Sequence, residues 1–235
     1  MNRDTKTPGT EIPCPVERVW RFPFKRVFPS PAARLAGIPG YWLVHGLYRI
    51  RVIGREHLPE SGGVLLIGNH VSYADVFVLQ VAVPRPLRFV GAWWLFEKWW
   101  VRWFVRLYRV ISISPRRPRE ALRRTAGCLR DGEVVCLFPE GRITRDGRIQ
   151  ELKPGFLAIA EEAKVPVVPF HLGGLWGSVL SYSGGRVGSK IPSTLRRKVT
   201  LTLGKPLTPE EMTVEAARRR VLELGQAAEQ EDPHG

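Results

Sequence analysis

The chain has 235 residues, 44% of them hydrophobic, and carries 36 Lys+Arg against 22 Asp+Glu for a formal net charge of +14. That length fits one α/β domain with short extensions and enough apolar residues for a core. The charge points away from a cationic partner and towards an anionic one, leaving nucleic acid, an anionic membrane face and a phosphorylated substrate open. No uninterrupted apolar run of about 18 residues is present, so no ordinary membrane-spanning helix is expected. Cys14, Cys128 and Cys136 lack metal-ligand spacing and are odd in number, so they read as reduced, cytosolic thiols, and no metal is called for.

Residues 1–15 are polar and proline-rich and read as a disordered lead. They have no apolar centre and do not resemble a signal peptide. Residues 16–48 mix arginines, aromatics and prolines, with a short helix expected from Ala32 to Tyr48, interrupted near Gly37 to Gly40. Arg51-Val52-Ile53 reads as a strand closed by Gly54, and Ser61-Gly62-Gly63 turns into a second strand, Val64–Ile67. Asp75 to Val83 is expected to be helical, stopped by Pro84 and Pro86. Residues 93–110, with five of the eight tryptophans, read as a helix.

Pro115 to Arg119 is a basic loop, and Glu120 to Arg130 fits a helix ending at Asp131-Gly132. Glu133 to Phe138 is a strand and Arg142 to Lys153 a polar loop. Pro154 suits the first turn of a helix reaching Ala163. Val165 to Phe170 is a short apolar strand whose prolines, Pro166 and Pro169, suggest a strand end or a sheet edge. Gly173 to Ser193 is a Gly/Ser-rich loop, Val199 to Leu203 alternates as a half-exposed strand should, and Glu210 to Gln226 is a terminal helix. Strands alternating with helices predict an α/β fold with a central, mostly parallel sheet flanked by helices.

Two polar clusters leave the ends of apolar runs. Asn69-His70-Val71-Ser72-Tyr73-Ala74-Asp75 follows Val64–Ile67, and Phe138-Pro139-Glu140-Gly141-Arg142 follows Val134–Leu137. Strand ends are where an α/β sheet places a site. A histidine there can act as a general base near neutral pH, and an aspartate can hold its tautomer and stabilise the imidazolium. Five residues along one regular helix turn side chains to diverging faces. The pair therefore meets if His70 lies in the loop and Asp75 in the first helical turn, with Ser72 as N-cap. The plainer alternative is a histidine at a strand end and an unrelated helix-start aspartate.

Glu140, Gly141 and Arg142 open a loop that also carries Arg145, Arg148 and Lys153. Guanidinium groups bind phosphate in a planar fork, and a glycine lets the backbone approach a ligand. The alternative is a solvated basic loop. The chain has no Gly-x-Ser-x-Gly elbow, no phosphate-binding Gly-x-x-x-x-Gly-Lys-Ser/Thr loop and no Gly-x-Gly-x-x-Gly fingerprint, which argues against serine hydrolases and nucleotide enzymes.

Asn69-His70-x-x-x-x-Asp75, then Phe138-Pro139-Glu140-Gly141, then Val165-Pro166-Val167-Val168-Pro169 resemble, in order and spacing over residues 49–210, the glycerolipid acyltransferase family typified by bacterial 1-acylglycerol-3-phosphate acyltransferases. Trp99-Trp100-Val101-Arg102-Trp103-Phe104 and Phe138 to Thr144 are similar to one branch, the acyltransferase part of the bifunctional 2-acylglycerophosphoethanolamine acyltransferase/acyl-acyl-carrier-protein synthetase. The resemblance implies a glycerol-phosphate acyltransferase-like fold over residues 49–230. It implies transfer of a fatty acyl group from an acyl-CoA or acyl carrier protein thioester to the free hydroxyl of a lysophospholipid, without a cofactor. His70 would be the base and Asp75 its orienting partner, with Asn69, Glu140, Gly141, Arg142 and Arg145 at the substrate side; Glu140, which cannot itself bind phosphate, would there fix Arg142 or the loop. The phosphatidate-forming branch has Thr, then Arg, after Glu-Gly, where this chain has Arg142-Ile143. It also has a lysine before Leu-Phe, where this chain has Trp93-Trp94 before Leu95-Phe96. Both departures favour a lysophospholipid over lysophosphatidate as acceptor.

The acceptor of such an enzyme resides in a bilayer, on this reading the cytoplasmic face of a cell membrane. In Trp93–Arg109 the charges Lys98, Arg102, Arg106 and Arg109 recur at helical spacing, with Trp94, Trp99, Trp103 and Phe104 over much of the rest, as in a helix lying in the headgroup layer. The alternative is a domain helix with its aromatics in the core. Residues 16–48 form a second membrane-proximal segment. A reading of another class is a non-catalytic basic module for lipid or nucleic acid. The His70/Asp75 pair speaks against it, and nucleic acid is not expected as a partner.

Overall fold

Strand β2 (Val64–Gly68) is buried at every residue, as a parallel strand covered on both faces must be. Its neighbours are β5 (Val134–Leu137) and β6 (Val167–Gly173), both parallel to it. A computed structural model describes residues 31–97, 99, 101–185, 187–188 and 196–231. The lead expected at 1–15 and the first half of the membrane-proximal segment lie outside the described residues.

Four further strands complete one seven-stranded sheet in the order β1-β7-β6-β2-β5-β3-β4: β1 (Tyr48–Ile53), β3 (Leu87–Ala92), β4 (Ile111–Ile113) and β7 (Arg197–Leu203). Every pairing is parallel except β6 with β7. Alternation along the strands divides the core between the two faces. Val64 and Leu66 join one apolar cluster with Val134, Cys136, Val168 and Phe170. Leu65 and Ile67 join the other with Val135 and Val167.

Helices α1 (Pro31–Leu47) and α2 (Asp75–Ala82) lie on the first face, through Val44, Val78 and Leu79. Helices α4 (Pro118–Arg130), α5 (Gly155–Ala163) and α6 (Val214–Glu231) lie on the second, through Ala126, Leu129, Phe156, Ile159 and Ala217. No described helix is long and apolar enough to cross a membrane.

Several expectations need correction. The helix expected over 93–110 is not continuous. A 3-10 turn covers Trp93–Glu97, α3 covers only Arg102–Leu107, and Arg109 has left the helix at φ 47°. Strands β3 and β4 were not expected. The break expected in α1 is absent: the helix runs through Pro39 and stops one residue short of Tyr48. β6 is central rather than at an edge, while Pro166 does stand at the strand end, just before Val167. The strand accommodates Pro169 because its pairing with β7 begins only at Phe170, so no ladder bond to β7 needs that nitrogen.

Candidate active site

The site lies beyond the carboxyl ends of the adjacent parallel strands β2 and β5. The chain leaves β2 at Gly68, where a Cβ would stand 2.5 Å from the Phe170 carbonyl oxygen, so only glycine lets the backbone pass. Asn69 follows, buried. Its amide donates to the Leu172 carbonyl at 3.0 Å and accepts the Leu172 N–H at 2.7 Å. Both polar atoms of Asn69 thus continue the ladder towards β6 and are turned away from any substrate.

His70 comes next, and its Nδ1 lies 2.7 Å from Asp75 Oδ2. Asp75 is the first residue of α2 and is fully buried. The same Oδ2 accepts the N–H groups of Val71 at 2.8 Å and Ser72 at 3.1 Å. One carboxylate oxygen thereby folds the loop and orients the ring. Because that oxygen only accepts, the proton of neutral His70 sits on Nδ1 and Nε2 keeps its lone pair. The ring stacks on Phe138 at 4.0 Å between centroids and 11° between planes. The His70 side chain is 17% exposed, which leaves an open edge. Ser72 is not the helix cap. Ala74 is, and the Ser72 hydroxyl accepts the Ala74 N–H at 3.1 Å.

Glu140 is buried and turned inward. Oε1 accepts the His70 N–H and Oε2 the Gln150 N–H, each at 2.8 Å. Burial pushes its carboxyl above the usual range, opposed by the two N–H bonds from Gln150 and His70. The Thr144 N–H donates to the His70 carbonyl at 2.9 Å, so both backbone groups of His70 are held by the loop after β5. That loop turns at Gly141, whose φ of 70° suits glycine and whose N–H returns to the Phe138 carbonyl at 3.0 Å. Arg218 of α6 closes the far end by donating to the carbonyls of Ile149 and Gln150. Thr144, Gln150 and Arg218 carry no local signal, because each acts on residues distant in the chain.

Arg142 is exposed and donates to the Gln150 side chain at 3.3 Å. Arg145 is exposed, with its Cζ 5.3 Å above the Tyr182 ring, and the Tyr182 and Tyr73 hydroxyls lie 3.2 Å apart. Burial, aided by Tyr182, pushes the Tyr73 phenol up to about 12, so it stays neutral. Both arginines are exposed on the loop that holds His70, without a carboxylate partner among the described residues, as anion-binding groups can be. The expected membrane residues Trp94, Trp99, Arg102 and Arg106 are exposed, Trp99 at 81%. The backbone of Trp103 lies in α3, as expected, and the Trp103 side chain is outside the described set. The described part of α1 adds an apolar surface, with Ile38, Trp42, Leu43 and Leu47 all exposed.

A buried carboxylate, an oriented imidazole with one free nitrogen and an open edge can deprotonate a hydroxyl held at Nε2. The family model described as acyltransferase matches residues 49–173. A 1-acyl-sn-glycerol-3-phosphate acyltransferase of Bacillus subtilis is 25% identical over 183 residues, covering 77% of this chain and 85% of that protein. The chloroplastic 1-acyl-sn-glycerol-3-phosphate acyltransferase LPAT1 of Arabidopsis thaliana is 29% identical over 157 residues, covering 65% of this chain but only 43% of that protein. The crystal structure of the 1-acyl-sn-glycerophosphate (LPA) acyltransferase PlsC from Thermotoga maritima shares the fold, with a TM-score of 0.60 and 24% identity over 86% of this chain and 78% of that one.

Proposed function

The chain belongs to the acyltransferase family, and from that premise we propose that it moves a fatty acyl group from an acyl-CoA or acyl carrier protein thioester to the free hydroxyl of a lysophospholipid at a membrane surface. The observation that carries the reading is the His70–Asp75 pair at 2.7 Å, with Glu140 and Thr144 holding the backbone of His70. His70 Nε2 takes the proton of the acceptor hydroxyl as its oxygen attacks the thioester carbonyl. Asp75 stabilises the imidazolium that results, and the thiolate leaves as the tetrahedral intermediate collapses. No covalent enzyme intermediate is needed.

Arg142 and Arg145 receive the phosphate of the acceptor. The likeness of Trp99–Phe104 and Phe138–Thr144 to the 2-acylglycerophosphoethanolamine branch supports an acceptor that carries a headgroup. A second reading, phosphatidate formation from lysophosphatidate, is favoured by the printed names of the relatives. Docking is peripheral, on the cytoplasmic face of the cell membrane, through the exposed apolar residues of α1 and the tryptophan-rich segment before α3.

The test is an acyl-transfer assay with the purified chain, a labelled acyl thioester and a panel of lysophosphatidate, lysophosphatidylethanolamine and lysophosphatidylglycerol. Preferred turnover of a headgroup-bearing acceptor is expected. Preference for lysophosphatidate favours the second reading, and no transfer to any of the three overturns both.

A further inference from the structure

Helix α4 and the loop before it carry a dense set of exposed arginines. It buries Ala121, Thr125, Ala126 and Leu129 against the sheet and α5. Opposite these, Arg116, Arg117, Arg119, Arg123, Arg124 and Arg130 are all exposed. Two of the six have carboxylate partners, Arg117 with Glu120 and Arg130 with Glu162, each at 3.7 Å. Among the described residues no carboxylate lies in ion-pair range of the other four. Arg116, Arg117 and Arg119 also gather at the amino end of the helix, where the macrodipole is positive and favours acidic residues. Each therefore works against the helix rather than stabilising it, a placement that local stability does not explain.

Position decides what the face is for. α4 follows β4, which is parallel to β3, β5 and β2, so the loop at 114–117 leaves the same edge of the sheet as His70 and Glu140. β4 is three strands from β2, about 14 Å at ordinary strand spacing. α4 also covers the face of the sheet opposite α1, whose exposed Ile38, Trp42, Leu43 and Leu47 form one apolar surface, beside that of Trp93, Trp94 and Trp99. A chain that rests on a bilayer through α1 holds the arginines of α4 away from it, in solution.

We propose that the arginine face of α4 is the docking surface for a small acidic carrier protein that presents the acyl chain as a thioester on a flexible arm. This deepens the acyl-transfer reading and rests on it. Acidic helices of the carrier meet the unpaired guanidinium groups at the active edge of the sheet, and the arm crosses β3 and β5 to the open edge of His70. Complementary charge of this kind raises the rate of encounter, by about tenfold or more.

The experiment compares palmitoyl-loaded acyl carrier protein with palmitoyl-CoA as donors to the same lysolipid, using the full chain and a charge-reversed variant, Arg116→Glu, Arg119→Glu, Arg123→Glu and Arg124→Glu. The positions are exposed, and thermal melting verifies the fold. The expected result is a KM for the carrier-loaded donor raised about tenfold or more, with kcat within about twofold and palmitoyl-CoA kinetics unchanged. Gln at the same positions gives a smaller rise, and flotation with anionic vesicles is unaltered. Equal KM values for the loaded carrier in wild type and variant overturn the proposal, and so does a parallel loss with palmitoyl-CoA. Loss of flotation assigns the face to the membrane instead. A wild-type enzyme that uses palmitoyl-CoA but not the loaded carrier refutes the docking surface alone. Failure with both donors refutes the acyl-transfer reading itself.

Discussion

At the scale of single residues, the His70–Asp75 pair is legible in the chain because both side chains lie within one short loop after a run of buried aliphatics. The task of Glu140 is legible only in part. A carboxylate cannot itself bind phosphate, which points to a role in fixing Arg142 or the loop, and it does hold the loop, but the groups it holds are two backbone N–H groups, one from a residue 70 positions earlier. A pattern of residue types does not encode a bond of that span. The geometry separates three substitutions. His70→Ala removes the base and should lower kcat by about 100- to 10,000-fold, with a smaller loss of Tm than Asp75→Asn, since Asp75 loses the ring but keeps the N–H groups of Val71 and Ser72. Asp75→Asn should lower both kcat and Tm, because Oδ2 holds the loop N–H groups of Val71 and Ser72 as well as the ring. Glu140→Gln keeps one acceptor and turns an NH2 towards the other N–H, leaving a buried donor unsatisfied at a cost of about 1–3 kcal/mol. Circular dichroism melts beside steady-state kinetics check the ranking. A His70→Ala protein of normal turnover would remove the base from the mechanism.

At the scale of elements, β2, β5 and β6 are legible because strands covered on both faces need continuous aliphatic runs, and Val64–Ile67, Val134–Leu137 and Val167–Val168 supply them. β3 is hidden by Arg88 and Gly91 within its span, and β4 is only three residues long. The segment after β3 misleads through its pattern, since its basic residues are spaced as on a helix but only Arg102–Leu107 completes α-helical turns. β6 also carries a feature that no pattern announces. His171 lies against α6 at Gly225, where a Cβ would stand 2.8 Å from Nε2, and its Nδ1 finds no partner among the described residues. Burial pushes its pKa down to about 4 from 6.5. The unfolded chain then binds a proton through the range where the native protein does not. The contribution of His171 is complete above about pH 6.5 and is lost as pH falls towards 4, up to roughly 3 kcal/mol. Urea unfolding at pH 7.5 and 4.5 measures it. The wild type should lose about 2 kcal/mol more than His171→Asn between those values, and parallel losses would mean that His171 titrates freely in the native state.

At the scale of the molecule, the net charge of +14 and the aromatic content agree with the anionic, membranous setting proposed above without saying where on the surface it would be met. The exposed apolar residues of α1 lie on one face, and the basic residues Arg102 and Arg106 are exposed on α3, beside Trp99. Tyr108, just past α3, packs on the core cluster of the α1 face, which places both surfaces on the same side of the sheet. These two surfaces differ in how they respond to lipid and salt. Transfer of Trp42 and Leu43 into the interface is an apolar term of about 1.5–3 kcal/mol for each fully buried side chain and is not screened. Each arginine adds about 1 kcal/mol near an anionic leaflet, and that share fades as the screening length shortens. Flotation with neutral and with anionic vesicles, at low and high salt, resolves them. Trp42→Ser with Leu43→Ser should weaken binding to both vesicle types at both salt concentrations. Arg102→Glu with Arg106→Glu should remove only the increment that anionic lipid adds at low salt. If the charge reversal also abolishes binding to neutral vesicles, the segment before α3 inserts its tryptophans as a unit with the helix. If the α1 variant floats as wild type, the apolar face of α1 packs against protein rather than lipid, and the basic side alone must bring the acceptor within reach of His70.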